Sequence, residues 1–255
     1  MCLIAFRWQP QSARPLVLAA NRDEFHQRPT QALHWWRWPQ GPLAGRDGKA
    51  GGTWLAADRR GRYAVITNYR DTVEAPAPRS RGELPLAWLD CAATPARFAT
   101  DVYHRCGQYG PFNLLLGTPS ELWIVGTHAE PAAVRPGVHA LSNHLLDTPW
   151  PKSIRAVERL EQWTERRENG VCDDIDGLLD LLDDRQPAAV GQLPETGVAP
   201  EFERLLSAPF VVSPEYGTRS SSALIIEKRL VMAERTFDPD GHGSGERVFS
   251  GLLGG

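Results

Sequence analysis

The chain has 255 residues, of which 42% are apolar and 23% charged, a composition typical of a folded domain rather than of a disordered or collagen-like chain. Its 28 basic and 31 acidic residues give a net charge of −3, so a basic face for nucleic acid is not expected. No apolar run approaches the roughly 18 residues that a membrane span needs. We therefore expect a soluble, cytoplasmic protein with one domain over residues 1–255 and a loose, glycine-rich tail from residue 239.

Two short runs of β-forming residues open the chain. Cys2–Trp8 and residues 16–20 are apolar and are separated by a polar turn, a pattern typical of a hairpin. The segment Asn-Arg-Asp-Glu at 21–24 follows the second run directly. A sheet would deliver functional side chains at this point, and the alternative is a solvated turn.

The middle of the chain mixes strand and helix patterns. Strands are predicted over residues 53–57, 62–69, 112–116, 121–127 and 138–142. Ser80, with Glu83 at the capping-box spacing, predicts one helix, and Pro95 suits the first turn of a second helix that runs to Cys106.

The last third begins with the clearest helix, which starts at Pro151. The residues expected to line its apolar side are Ile154, Val157, Leu160 and Trp163. The elements predicted after it are an acidic helix over 173–184, a surface connection or flap over 187–200, a short helix over 201–206 and a hairpin over 220–227 and 230–237. Because runs of strands alternate with pairs of helices, the order favours a layered α+β fold.

Three tryptophans lie within four residues, at Trp35, Trp36 and Trp38. Indole rings grouped in this way either line the pocket of a flat ligand or cover a sheet edge and core. The sequence leaves both interpretations open.

The cysteines have no repeated spacing, which excludes the disulfide framework of small secreted proteins. They are Cys2, Cys91, Cys106 and Cys172. Cys2 is the informative one, because removal of the initiator Met would leave it with a free α-amine. Such an amine has a pKa near ~7.7–8.0 and can act as the base for its own thiol. A nearby arginine would lower the thiol pKa. The alternative is a buried strand cysteine.

Other sequence motifs for metals and cofactors are missing. The chain has no G-x-S-x-G elbow, P-loop, H-E-x-x-H or C-x-x-C-H. Cys91, His104 and Cys106 lack the spacing of zinc ligands and are expected to pack in the core. Residues 238–241 resemble a calcium loop but lack a third oxygen ligand, which predicts a turn. We expect no metal and no required cofactor.

Seven motifs in order carry a resemblance to a known family. They lie at residues 1–4, 20–25, 44–54, 67–70, 80–84, 141–152 and 216–221. Together they resemble the NRDE protein family, which includes the transport-and-Golgi-organisation protein of animals. The resemblance runs from residue 2 to about residue 226.

The resemblance implies an N-terminal-nucleophile hydrolase type of fold, a four-layer αββα sandwich of two antiparallel sheets. It also implies a site like that of cysteine acylases such as penicillin V acylase and bile salt hydrolase. Carried over, Cys2 is the nucleophile and base, Arg22 holds the thiolate and Asp23 orients the α-amine. Because Arg22 and Asp23 are adjacent, their side chains point to opposite faces of an extended strand unless the chain bends.

Three further residues complete the site that the resemblance implies. Asn143 offers its amide to the oxyanion, Asn68 supports the amine or the oxyanion, and Arg219 completes the polar network. One preorganised donor to an oxyanion is typically worth roughly 3–4 kcal/mol. The alternatives are turn-forming asparagines and a surface arginine.

Two functions follow. The first is a cytoplasmic amidohydrolase that loses Met1 and cleaves a C–N amide bond of a small acylated substrate. The second, in line with the family's association with haem trafficking, is a non-catalytic protein that binds haem or an acyl-lipid in the same pocket. Non-covalent haem would then be held by His26, His34 or the tryptophans. The expected partner is a small-molecule amide, an acyl-lipid or haem, and not nucleic acid.

Overall fold

The computed structural model describes residues 2–37, 41–70, 77–168 and 175–254. The strands are β1 (Cys2–Trp8), β2 (Leu16–Phe25), β3 (Thr30–Trp35), β4 (Leu43–Asp47), β5 (Leu55–Ala57), β6 (Tyr63–Asn68), β7 (Phe112–Gly117), β8 (Leu122–Gly126), β9 (Ala129–Ala133), β10 (Gly137–Leu141), β11 (Tyr216–Ile226), β12 (Arg229–Phe237) and β13 (Gly243–Leu252). The α-helices are α1 (Leu84–Asp90), α2 (Pro95–Tyr103), α3 (Pro151–Glu168), α4 (Ile175–Asp180) and α5 (Pro200–Leu206).

The strands described here form two antiparallel sheets. The first has the order β10-β1-β2-β11-β12-β13, and the second runs from β3 to β9 in chain order. β2 therefore lies inside its sheet, hydrogen-bonded to β1 on one side and to β11 on the other. The segment at 21–24, near the end of β2, is thereby held between two neighbouring strands.

Both faces of the first sheet are apolar along β1. Ile4 and Phe6 contribute to a core shared with the second sheet, whereas Leu3 and Ala5 face the other way and pack under α3 and α4. The outer face of the second sheet is covered by α1 and α2, around the buried ring of Trp88. The layers are helix, sheet, sheet, helix, which confirms the αββα sandwich expected from the sequence.

Helix α3 begins at Pro151 as predicted, because a proline at the first helical position forfeits no intrahelical hydrogen bond. Its buried side is the predicted one only in part: Leu160 and Trp163 are buried, whereas Val157 is half-buried and Ile154 is 46% exposed. The buried residues are Lys152, Ser153, Ala156, Leu160 and Trp163. Within the described part of the chain, no helix is long and apolar enough to cross a membrane.

The C-terminal segment corrects the sequence analysis. The segment expected to be a loose tail from residue 239 contains β13. This strand pairs with β12 along a ladder that starts with the pair Arg229–Leu252 and ends with the pair Phe237–Gly243. β13 satisfies backbone groups at the outer edge of β12. Its side chains are mostly exposed, so the sequence carries no apolar alternation that would signal a strand.

The aromatic and cysteine side chains outside the site largely pack. Trp35 packs against the core between the sheets. Trp36 packs against the apolar residues around Trp88 that lie between α1, α2 and the second sheet, here called the α1–α2 cluster. Cys91 and Cys106 are free thiols that pack against that same cluster, as predicted. Trp38 and Cys172 lie outside the described residues.

Candidate active site

The hairpin of β1 and β2 sets the position of Cys2. Cys2 is paired directly with Arg22, so both side chains project from the same face of the sheet. The guanidinium carbon of Arg22 lies 4.3 Å from the ring centroid of Trp54, and Arg22 Nη2 is 3.9 Å from Glu24 Oε2. At 6% exposure, this guanidinium is a fixed positive charge on the thiol side of the strand end.

The same register places Asp23 beside the start of β1. Leu3 pairs with Asn21 and Cys2 with Arg22, so Asp23 is the residue of β2 that directly follows the last pair of this ladder. Asp23 is buried, and its Oδ1 accepts a hydrogen bond of 2.7 Å from Thr218 Oγ1 on β11. A buried carboxylate therefore lies one residue beyond the Cys2–Arg22 pair, at the strand end that carries Cys2.

A cavity of about 480 Å³ opens at this strand end. Four of the six predicted site residues line it: Cys2, Arg22, Asp23 and Asn68. The adjacent Arg22 and Asp23 both line this cavity, although they lie within the single strand β2.

The far wall of the cavity comes from segments that the sequence analysis did not assign to the site. Thr53, Trp54, Ser80, Arg81 and Gly82 contribute to it. A Cβ on Gly52 would lie 2.5 Å from the backbone of Gly82, so only glycine allows the contact in which Thr53 N donates to Gly82 O at 2.9 Å. This backbone contact brings Arg81 to the cavity.

Asn143 lies behind the lining rather than on it. Its Nδ2 donates to the carbonyl oxygen of Asn68 at 2.9 Å, and it is fully buried. Ser142 Oγ donates to Cys2 O at 3.1 Å and to Asn143 Oδ1 at 3.3 Å. Asn143 therefore connects the end of β6 with the start of β1.

Arg219 also lies away from the lining as far as residues are described. Its Nη1 donates to the carbonyl oxygens of Phe25, His26 and Arg28 at 3.0, 3.1 and 3.3 Å. The register of β2 with β11 shifts between Thr218 and Ser220, on either side of this arginine. Arg219 thus holds the turn that follows β2.

Comparison with known proteins places the chain in a family. Residues 1–239 match the family model described as Transport and Golgi organisation 2. The chain belongs to this family. The human homolog is 32% identical and the mouse homolog 30% identical, each over 249 residues that cover 89% of this chain and 89% of the relative. The NRDE resemblance read from the sequence is thereby confirmed.

One solved structure matches the fold of this member of the Transport and Golgi organisation 2 family. A Caenorhabditis elegans N-acylethanolamine-hydrolyzing acid amidase ortholog matches with a TM-score of 0.54 and 11% identity, over 88% of this chain and 92% of that chain. At this identity the likeness is one of fold. The αββα sandwich is the N-terminal-nucleophile hydrolase type that the resemblance implied.

Buried charges surround the thiol in this family member. Burial raises the pKa of the Cys2 thiol, and the carboxylates of Asp23 and Glu24 also raise it. The positive charges of the amino terminus and of Arg22 oppose that rise. Burial likewise raises the pKa of Asp23, against the charges of the amino terminus, Lys152 and Arg22 and the hydrogen bond from Thr218. The thiol thus depends on nearby cations to ionise.

Lys152 is the buried charge that the sequence analysis missed. It is 2% exposed, in the first turn of α3. Burial lowers its pKa to about 8, and Asp23 is the strongest opposing influence. The sequence contained a signal for this burial. Lys152 shares one helical face with Ala156, Leu160 and Trp163, which follow it at steps of four, four and three residues, and that face is otherwise apolar.

An ion pair lies beside Lys152. Arg70 Nη1 is 2.5 Å from Glu203 Oε2, and both side chains are buried. Arg70 N donates to Asn143 O at 2.7 Å, and Glu203 Oε1 accepts from Thr196 N at 3.0 Å. The pair therefore connects α5 and the segment before it to the end of β6.

Proposed function

We propose that the protein is an amidohydrolase in which Cys2, after loss of Met1, attacks the carbonyl carbon of an amide in a small acylated substrate. The observation that carries this proposal is the register of β1 with β2, which pairs Cys2 with Arg22 and leaves Asp23 as the next residue of β2. A new amino terminus at Cys2 would stand beside a buried carboxylate and at the edge of a cavity.

Activation of the thiol uses the two faces of the strand end. The neutral α-amine takes the thiol proton, since its ordinary pKa is close to neutrality. Asp23 then holds the ammonium that forms, and Arg22, on the same face as the thiol, stabilises the thiolate. The two cations, the α-ammonium and Arg22, offset the burial that otherwise keeps the thiol protonated.

The bond changes follow in two stages. The thiolate sulfur bonds to the carbonyl carbon, and the C–N bond breaks as the α-ammonium returns the proton to the leaving amine. Water, deprotonated by the same amine, then cleaves the thioester and releases a carboxylic acid. Asn68 lines the cavity and supplies the oxyanion donor in this scheme, while Asn143 fixes the backbone of Asn68.

The lining supports a small substrate with a polar end. A volume of about 480 Å³ lies within the usual range for small-molecule sites. Trp54 and Ile66 offer apolar surface to an acyl group, and Arg28, Arg79 and Arg81 offer donors to a polar amine. We place the reaction in the cytoplasm, where a reducing environment keeps Cys2 as a thiol.

The first experiment measures the intact mass of the purified protein and then screens a panel of N-acyl amines. We expect loss of Met1 and hydrolysis by the wild type, with activity reduced to background in Cys2→Ser. Cys91→Ser is the matched control and keeps full activity, because Cys91 packs against the α1–α2 cluster. Retention of Met1 in an active protein would contradict the mechanism.

The second experiment distinguishes the amidohydrolase from a protein that only binds haem or an acyl-lipid. Haem is titrated into Cys2→Ala, which lacks the nucleophile but keeps the cavity. A stoichiometric Soret shift in that variant, together with no hydrolysis by the wild type, would replace the amidohydrolase proposal with non-covalent haem binding. The same design with a fluorescent fatty acyl probe tests the acyl-lipid form of that alternative.

A further inference from the structure

The chain uses lysine at only three positions, against 25 arginines. Lys49 and Lys228 are exposed, whereas Lys152 is almost completely buried. Where this chain buries other cations, at Arg22 and Arg70, it uses arginine. Arginine is the less strongly hydrated cation and the usual choice for a buried pair, so an ammonium at 152 is the more costly group to bury.

The place of Lys152 in α3 adds a second cost. It is the second residue of the helix, where the positive end of the helix dipole disfavours a cation. An attractive charge must offset both costs. Arg70 and Glu203 are already paired with each other at 2.5 Å, which leaves Asp23 as the carboxylate whose attraction on Lys152 is largest.

The groups that act on this ammonium come from several elements. Asp23 on β2, Cys2 on β1 and Glu203 on α5 favour its charged form, and Arg70 after β6 disfavours it. Its Nζ lies 5.9 Å from the ring centroid of Trp150. Lys152 is therefore placed to act on the acid and thiol of the proposed site from the helix side of the sheet.

Burial favours the neutral form of a carboxyl group, and Lys152 is the side chain that opposes this most strongly at Asp23. A neutral Asp23 would no longer hold an ammonium. We propose that Lys152 is a positioning residue for the reaction at Cys2: its ammonium keeps Asp23 ionised, and Asp23 in turn fixes the α-amine that deprotonates the thiol. The inference rests on the proposed amidohydrolase function. Lys152 keeps its own proton throughout, because the transferred proton moves only between thiol, α-amine and leaving group.

The test follows the alkylation of Cys2 by iodoacetamide as a function of pH, in protein whose loss of Met1 has been verified by mass. Lys152→Met is compared with the wild type and with Lys228→Met, a matched change at an exposed lysine. We expect the pH midpoint of alkylation to rise by roughly one unit in Lys152→Met, about a tenfold slower reaction at pH 7. Lys228→Met should leave the pH profile of alkylation unchanged. Lys152→Arg, which keeps a cation at this position, should give a profile close to that of the wild type.

A double-mutant cycle with Asp23→Asn separates this role from a merely structural one. If Lys152 acts through Asp23, Lys152→Met adds no further shift in the Asp23→Asn background. A shift of the same size in both backgrounds, or an unchanged midpoint in Lys152→Met, overturns the proposal. Should Lys152→Met fail to fold, Lys152→Gln is measured in the same cycle.

The alkylation profile needs no turnover, so it separates this inference from the proposed function. A wild type that hydrolyses no amide refutes the amidohydrolase, while the profile still decides whether Lys152 controls the Cys2 site. With an active wild type, kcat should fall in Lys152→Met with KM little changed, because the lysine lies outside the cavity lining.

Discussion

The two faces of the six-stranded sheet are alike along most of β1 and β2, and they differ where the strands end. Both faces are apolar in the middle, one packed against the second sheet and the other under α3 and α4. At the strand end the inter-sheet face carries the cation of Arg22, and the helix side carries Asp23 with Lys152. Opposite charges thus flank Cys2 from opposite sides, one suited to a thiolate and the other to an ammonium.

The largest expected effect is on the helix side. Asp23→Asn removes the charge that would hold the α-ammonium, so we expect kcat/KM for an N-acyl amine to fall by about 10²–10⁴. Thermal unfolding should change far less, since Asn keeps an oxygen for the hydrogen bond from Thr218. Activity within a few-fold of the wild type would show that the helix side takes no part in the reaction.

The inter-sheet face should give a smaller effect. Arg22→Met removes the cation that lowers the pKa of the Cys2 thiol, which should leave about tenfold less thiolate at pH 7. The alkylation midpoint of Cys2 should rise by roughly one unit. Arg28→Met is a control that also borders the cavity but is bonded to Asp47 at 2.6 Å. Equal shifts in both variants would argue against a specific role of Arg22.

The next prediction concerns Asn21, the residue before Arg22, which we expect to have a structural role. Its Nδ2 donates to Leu182 O at 3.0 Å and to Pro209 O at 2.9 Å, and Ser221 Oγ donates to its Oδ1 at 2.6 Å. Asn21→Ala leaves these buried partners unpaired, and we expect a loss of about 3 kcal/mol in unfolding free energy by denaturant titration. The folded fraction should keep its activity. A stable but inactive variant would move Asn21 into the reaction machinery.

The last prediction concerns stability against pH at Glu234, which is buried on the inter-sheet side and whose Oε1 accepts from Leu33 N at 2.7 Å. Burial raises its pKa from the ordinary 4.5 to about 6. The protonated form therefore favours folding, fully below pH 4.5, and this contribution is lost as pH rises through about 6. Relative to Glu234→Gln, the wild type should lose roughly 2 kcal/mol of stability over that range. Parallel stability curves for the two proteins would contradict this.

The hairpin, α3 and most of the second sheet could be predicted because each has a local signal, such as the apolar run in β1 or the proline that starts α3. β13 could not, since it is an edge strand with exposed side chains that forms only because β12 offers it backbone partners. On α3 the sequence predicted the burial of Leu160 and Trp163 but not the exposure of Ile154, because periodicity defines a stripe but not which neighbouring row meets the sheet.

The candidate site also contains residues whose position could be predicted from the sequence and residues whose position could not. The resemblance to the family implied Cys2, Arg22, Asp23 and Asn68 as site residues, and the structure lines one cavity with these four. Asn143 lies behind that lining, because its position depends on the contact between the ends of β1 and β6. Its role as an oxyanion donor, like the other catalytic roles, stays a prediction.

The amino-acid sequence by itself determined the family and the layered class of fold, because these depend on motifs and on short-range patterns. Tertiary structure alone decided that Cys2 pairs with Arg22 and that Lys152 is buried where its charge acts on Asp23 and Cys2. Strand register and the burial of a lysine are set by contacts between residues distant in the chain. The electrostatics of Cys2 is therefore a property of the folded protein.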